Sequence, residues 1–357
     1  MGIQKRLFSP AAAVISLALI TGCAGGGSQI PASSQGTLQA HYSAPFSLRT
    51  ANVNYSAARL GSVPASFPAI PAHSYNACPT SITFVSDFAN NVVYMLSGVT
   101  STVCGTITGL VNPQGMALDA SGNLWIANTG ASNVLKYAPP YTTVSRTLSD
   151  PFEYPTSVAV CKGYIAVTNI ETTGGKAGNV AIYKKGSKPA AHLKDTNAGS
   201  EYFGACDTKG NLFTTYCTGI AGVNCSQGGG RVNEWKGGTG TAIELSSITL
   251  QFPGGLDYED GSLLVDDQLA YTVGFYKSPY ATASKTINIS GHGDPVTIKV
   301  TGSDKTLLTT TCCETSYTTA AAAYTISTGA FLKTINIPNG SNPNQPIGVA
   351  TNKDDRD

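Results

Sequence analysis

Charge is scarce in this chain. Of its 357 residues only 12% are Asp, Glu, Lys or Arg, and they nearly cancel to a net +1. Such a balance excludes a protein held to nucleic acid or anionic lipid by a basic face. Histidine is rarer still, with four residues, and no C-x-x-C pair or His-rich run offers zinc ligands. The chain has no G-x-S-x-G elbow and no glycine-rich phosphate loop opening a helix, so the serine-hydrolase and nucleotide signatures are missing. Its most apolar stretch, Ala11 to Ile20, is about half the length of a membrane-spanning helix.

That stretch follows Lys5 and Arg6 and ends in Leu19-Ile20-Thr21-Gly22-Cys23, the order of an export signal. The pentapeptide resembles the lipobox of bacterial lipoproteins. The resemblance implies cleavage after residue 22, acylation of Cys23 and a place in the cell envelope facing periplasm or exterior. With Ala24 next, it implies the outer membrane in a Gram-negative host. Two or three acyl chains hold a protein far more firmly than one. Loss of Lys5 and Arg6 turns 22 basic side chains into 20, against 21 acidic ones. Residues 23–77, rich in Ser, Ala and Pro and opening on Gly25-Gly26-Gly27-Ser28, read as a tether. As a flexible coil it averages about 40 Å end to end. Phe46, Tyr55 and Phe67 are the tether residues that would be costly to leave exposed.

Residues 78–357 carry a repeat of about 40 to 50 residues, the length of a β-propeller blade. Its clearest copy runs from Asn112-Pro113-Gln114-Gly115-Met116-Ala117-Leu118 through Asp119-Ala120-Ser121-Gly122-Asn123 to Leu124-Trp125-Ile126-Ala127-Asn128 and Tyr137. Further copies begin near Tyr154, Phe203, Pro253 and Pro295. In each, a strand of small and apolar residues precedes a turn, a second strand, and a third strand ending in Tyr137, Tyr183, Trp235, Tyr276 or Tyr324. Those aromatics are expected to pack blade against blade. Fourth strands fit Arg146-Thr147-Leu148, Ile243-Glu244-Leu245, Lys285-Thr286-Ile287 and Lys333-Thr334-Ile335. Residues 81–107 lack a first strand, and Gln345 to Ala350 supply one. The expected fold is therefore all-β, a six-bladed propeller of four-stranded antiparallel blades closed by its C-terminal strand.

From Pro79 to about Asp354 this pattern resembles the NHL-repeat family and the wider six-bladed group of SMP-30/gluconolactonase-like proteins. The latter resemblance implies an axial divalent metal held by Glu, Asn, Asn and Asp, two of them at the starts of inner strands. The matching inner-strand positions are Gln114, Thr156, Phe203, Gly254, Val296 and Ile347, none of them a carboxylate or Asn. A second ring, where the second strands end, comprises Asp87, Asn128, Asn169, Tyr216, Asp267 and Thr311. Asp87, Asn128, Asn169 and Asp267 are candidate ligands for a hard cation such as Ca²⁺; the other reading is that they bond the following turns. His292 with Asp294, in a glycine-rich loop, is the candidate general-base pair.

Nine cysteines suit an oxidising compartment. Beside Cys23, eight remain. Cys217 with Cys225 would brace an enlarged loop, Cys78 with Cys104 would clamp the first segment, and Cys161 with Cys206 would link neighbouring blades. Adjacent Cys312 and Cys313 either form a vicinal bond or pair elsewhere or stay reduced. Two functions are open: a membrane-anchored monomeric module binding a protein or small molecule on its loop face, or a metal-dependent lactonase-type hydrolase or lyase with a relocated site.

Overall fold

The computed structural model describes residues 78–151, 153–172, 174–219, 228–301, 305–312, 319–342 and 344–352. The export signal, Cys23 and its tether, Cys225, Cys313 and the side chain of Cys312 lie outside the described residues.

Six four-stranded antiparallel sheets form the ring. Blade 1 comprises Pro113–Leu118, Leu124–Asn128, Asn133–Tyr137 and Val144–Ser149. Blade 2 comprises Glu153–Cys161, Tyr164–Thr172, Ala177–Tyr183 and Ala191–Leu193, and blade 3 Ala198–Cys206, Leu212–Thr218, Gly230–Trp235 and Ile243–Leu250. Blade 4 is built from Pro253–Glu259, Ser262–Asp267, Thr272–Lys277 and Ala283–Asn288. Blade 5 follows with Asp294–Val300, Thr306–Cys312, Thr319–Thr325 and Phe331–Asn336. The sixth blade joins the two ends of the chain: Pro346–Thr351 pairs with Ile82–Asp87, beside Val92–Ser97 and Val103–Ile107.

Burial within a blade follows position from the axis outward. In blade 1 the second strand is buried at every residue, because both its faces meet other blades. The outermost strand, by contrast, is exposed at half of its residues. The turn between first and second strands is held as its composition requires. Asp119 Oδ1 accepts the main-chain N–H groups of Ser121 and Asn123, and Gly122 takes φ +76°. The aromatics that end third strands do pack blade on blade. Tyr183 donates its hydroxyl to Ser149 O of blade 1, and Tyr324 to Ile289 O at the end of blade 4. Trp235, fully buried, packs with Val180, Ile182 and Leu193 of blade 2.

The closing blade is secured by more than its ladder. Asn90 Nδ2 donates to Asp87 Oδ2, Asn342 O and Asn344 Oδ1, while Asn342 N donates back to Asn90 Oδ1. Disulfides join Cys78 to Cys104 within that blade and Cys161 to Cys206 between blades 2 and 3. Cys217 is also disulfide-bonded. Such bonds persist in oxidising compartments. Among the described residues no helix is long and apolar enough to cross a membrane.

Every inner strand carries a bulge at the same place. In blade 1 Pro113 opposes Asn128 and Met116 opposes Ile126, so three steps on the inner strand match two on its neighbour. The same offset recurs from Pro155 to Val158, Glu201 to Gly204, Pro253 to Leu256, Pro295 to Ile298 and Pro346 to Val349. A bulge re-aims side chains locally. Here it corrects one sequence alignment. Glu201 opposes Tyr216 and so holds the place that proline holds in the other five blades. The residue of blade 3 matching Gln114, Thr156, Gly254, Val296 and Ile347 is therefore Tyr202, not Phe203.

Candidate functional site

The ring of second-strand ends is built as the registers demand, and its side chains are used locally. Asp87 accepts from Asn90 N and from Gln345 N, which leads into the inner strand of blade 6. Asp267 accepts from Ala270 N in the following turn and from Gln251 N and Phe252 N ahead of the inner strand. Asn128 Oδ1 accepts from Val111 N and its amide donates to Asn133 Oδ1. Asn169 donates to Asn179 Oδ1, and Tyr216 donates its hydroxyl to Glu244 Oε2. Burial holds the Asp87 carboxyl above its usual range against these hydrogen bonds. Among the described residues no three His, Cys, Asp or Glu side chains are grouped to hold a metal. The inner-strand positions that would ligate an axial metal carry Gln114, Thr156, Tyr202, Gly254, Val296 and Ile347, a donor set that does not fit a divalent ion.

At that same end the axis is filled with apolar side chains. Phe88 and Ile347 from blade 6, Tyr154 and Ile170 from blade 2, Tyr202, Phe203 and Cys217 from blade 3, Phe252 from blade 4 and Val296 from blade 5 form one buried cluster. Five blades can share one cluster only where blades converge, so this is an axial plug. Tyr202 meets Phe252 edge-on at 5.5 Å between centroids. Glu171, buried near the Tyr154 and Tyr202 rings, has its carboxyl pushed up to about 7 by desolvation.

Beneath the plug, threonine hydroxyls staple three of the blades to the next. Thr156 and Thr168 both donate to Tyr202 O, Thr215 donates to Gly254 O, and Thr297 and Thr310 both donate to Ile347 O. Thr215 and Thr310 also accept from Phe203 N and Thr297 N of their own blades. The equivalent residue of blade 4 is Asp266, fully buried against Gly254. A carboxylate could only accept here, whereas a carboxylic acid can accept and donate. Burial and the adjacent Asp267 push the Asp266 carboxyl well above its usual range. Glu201, also fully buried, is pushed up to about 8 by desolvation, with the Thr214 hydroxyl opposing and Asp195 adding to the shift.

The other end of the axis is open. A cavity of about 550 Å³ lies along the later halves of the inner strands, at the turns joining first to second strands. Phe203 belongs both to the plug and to the cavity lining, so the plug is the cavity's floor. On one side of the mouth lie the half-buried Leu118 and Val160, while Met116 and Val158 beside them are buried in the packing between blades. The opposite side carries charge from blades 4 and 5 that is paired in place. Lys299 lies 3.3 Å from Asp257, and Lys305 bridges Glu259 and Asp260. Asp257 also accepts from Tyr258 N and Val300 N.

The sequence candidates are thus dispersed. His292 is half-buried away from both axial sites, stacked on Phe331 with its edge toward Tyr324. Asp294 accepts from the Tyr271 hydroxyl, and no hydrogen bond among the described residues joins it to His292. The expected loop face is the plugged end. The cavity, Glu171, Glu201 and Asp266 were not foreseen. The signal for Glu201 was present, since it replaces the proline found at or near the start of every other inner strand.

No family model matches the chain, and no curated protein matches it. Solved structures do. One is a nidogen/laminin complex, 14% identical over 76% of this chain and 98% of that one, with a TM-score of 0.59. Another is a luciferin-regenerating enzyme, 14% identical over 66% of this chain and 78% of that one, with a TM-score of 0.48. At such identity the first establishes likeness of fold.

Proposed function

We propose that this chain is an extracytoplasmic, lipid-anchored binding module whose small-molecule ligand enters the turn-end cavity. The observation that carries this reading is the asymmetry of the axis: a cavity of about 550 Å³ at one end and an apolar plug at the other. That volume lies within the range of small-molecule sites. The anchor at Cys23 and the tether of residues 23–77 would hold the ring off the membrane, and the disulfides suit that compartment. A binding role needs no reacting groups on the axis, and the donors at the inner-strand starts do not supply them.

A thermal-shift screen of the purified full chain with a small-molecule library tests the reading. Compounds that raise the melting temperature of the wild type are expected to lose that effect in Ala117→Trp, which places an indole at the mouth. Hits that stabilise the variant equally would contradict it. Lactone and phosphotriester hydrolysis, assayed with added Ca²⁺, Mn²⁺ or Zn²⁺, is expected to stay at the buffer rate; robust metal-dependent turnover would favour an enzyme instead.

A further inference from the structure

The cavity wall is main chain. Antiparallel pairing alternates residues whose N–H and C=O face the partner strand with residues whose groups point away. In blade 1 Asp119 N donates to Asn123 O, and in blade 3 Asp207 N donates to Asn211 O. Counting back by twos through the regular registers, Ala117 and Ala205 also face their second strands. The peptide groups of Met116, Leu118, Gly204 and Cys206 are left on the free edge, toward the axis. In blade 5 Thr301 N donates to Thr306 O, which places Val300 on that edge. Val300 N duly reaches across to Asp257 Oδ2 at 2.7 Å. On blades 1 and 3 the open strand edge therefore offers donors and acceptors in equal number, and on blade 5 Asp257 already takes one of the donors.

We propose that this cavity takes a neutral saccharide of one or two rings; the assignment rests on the binding reading above. Hydroxyl groups donate and accept at once, which suits a wall of alternating N–H and C=O groups. An anion would face as many carbonyls as amides, and a cation as many amides as carbonyls. The two lysines at the mouth are matched by Asp257 and Glu259, and the one surplus carboxylate, Asp260, is largely exposed, so no cation is left for an anion and no buried charge awaits a cation. Those same ion pairs supply polar atoms for hydroxyls at the rim. Opposite them, the half-buried Leu118 and Val160 offer a small apolar bed for the C–H face of a pyranose ring. A purely apolar ligand would leave the peptide edges without partners.

Isothermal titration of the purified full chain with trehalose, sucrose, maltose and cellobiose tests this assignment, with citrate and spermidine as charged probes. At least one disaccharide is expected to bind saturably, to weaken at least ten-fold in Ala117→Trp and in Val160→Trp, and to change little when salt is doubled. Two variants on different blades guard against one that misfolds, and circular dichroism checks each. Ile243→Ser, on the exposed outer strand of blade 3, is expected to bind as the wild type does. Citrate or spermidine binding that both tryptophan variants abolish, with no saccharide bound, would overturn the saccharide assignment and leave the binding reading intact. No saturable binding by any probe, together with no thermal-shift hit, would overturn both. Saccharide binding unchanged in both variants would overturn the placement.

Discussion

Glu201 and Asp266 are fully buried acids in a ring where threonines staple three of the blade junctions. Each has a folded pKa above its unfolded value, so folding takes up protons. Stability is then fully present below the unfolded carboxyl pKa and is lost as pH rises through the folded one. For Glu201 that window runs from the usual carboxylate range to about 8. Glu171, pushed up to about 7, acts in the same direction, as does His192, whose pKa is raised by Asp150. The melting temperature is expected to fall between pH 5 and pH 8.5, and Glu201→Gln is expected to flatten that slope. One such group changes stability by at most about 1.4 kcal/mol per pH unit. A melting temperature that rises over this interval would contradict the assignment. Asp266→Thr installs the hydroxyl found in blades 2, 3 and 5. Denaturant unfolding at pH 8 is expected to show a gain of about 1–3 kcal/mol, the cost of a poorly satisfied buried polar group.

At the scale of the strand, closure is the decisive contact. Pro346–Thr351 is buried throughout and completes blade 6 against Ile82–Asp87. A chain ending at Asn344 would expose that strand's edge and the apolar seam behind it. Its melting transition is expected to fall by more than ten degrees or to lose cooperativity. Asn90→Ala removes the donor that ties Asp87 to Asn342 and Asn344, and is expected to cost about 1–3 kcal/mol by leaving those groups unpaired. An unchanged unfolding midpoint in both would count against ring closure as the keystone. The strands and their closure were legible in the sequence, because alternation, turn residues and the complementary ends are local signals. The repeated bulge was not. It arises from how an inner strand meets a crowded axis, and the proline at its start in five blades suits an ordinary strand start equally well. Without a proline to anchor it, the inner strand of blade 3 was read one residue out of register at Phe203.

For the whole molecule, sequence reasoning placed the repeat correctly and held no sign of the cavity at the turn end of the axis. Asp87, Asn128, Asn169 and Asp267 drew attention as oxygen-bearing side chains recurring at one position. Their recurrence has a main-chain cause: Asp87, Asn128 and Asp267 receive the N–H groups of the segments leading into inner strands. The cavity at the other end left no motif, because its polar wall is peptide and every residue has one. An apolar plug also has no signature when five blades contribute between one and three side chains each to it. If the ring is tethered as proposed, Cys23→Ala should move the protein from the membrane pellet to the soluble fraction. Continued sedimentation with membranes would contradict the anchor. The most direct test of the axial asymmetry is a crystal structure of the full chain grown with a disaccharide that binds. Ordered ligand density is expected on the axis between Leu118, Val160 and Lys299; density at the opposite end, displacing Phe88, Tyr154 or Phe252, would contradict it.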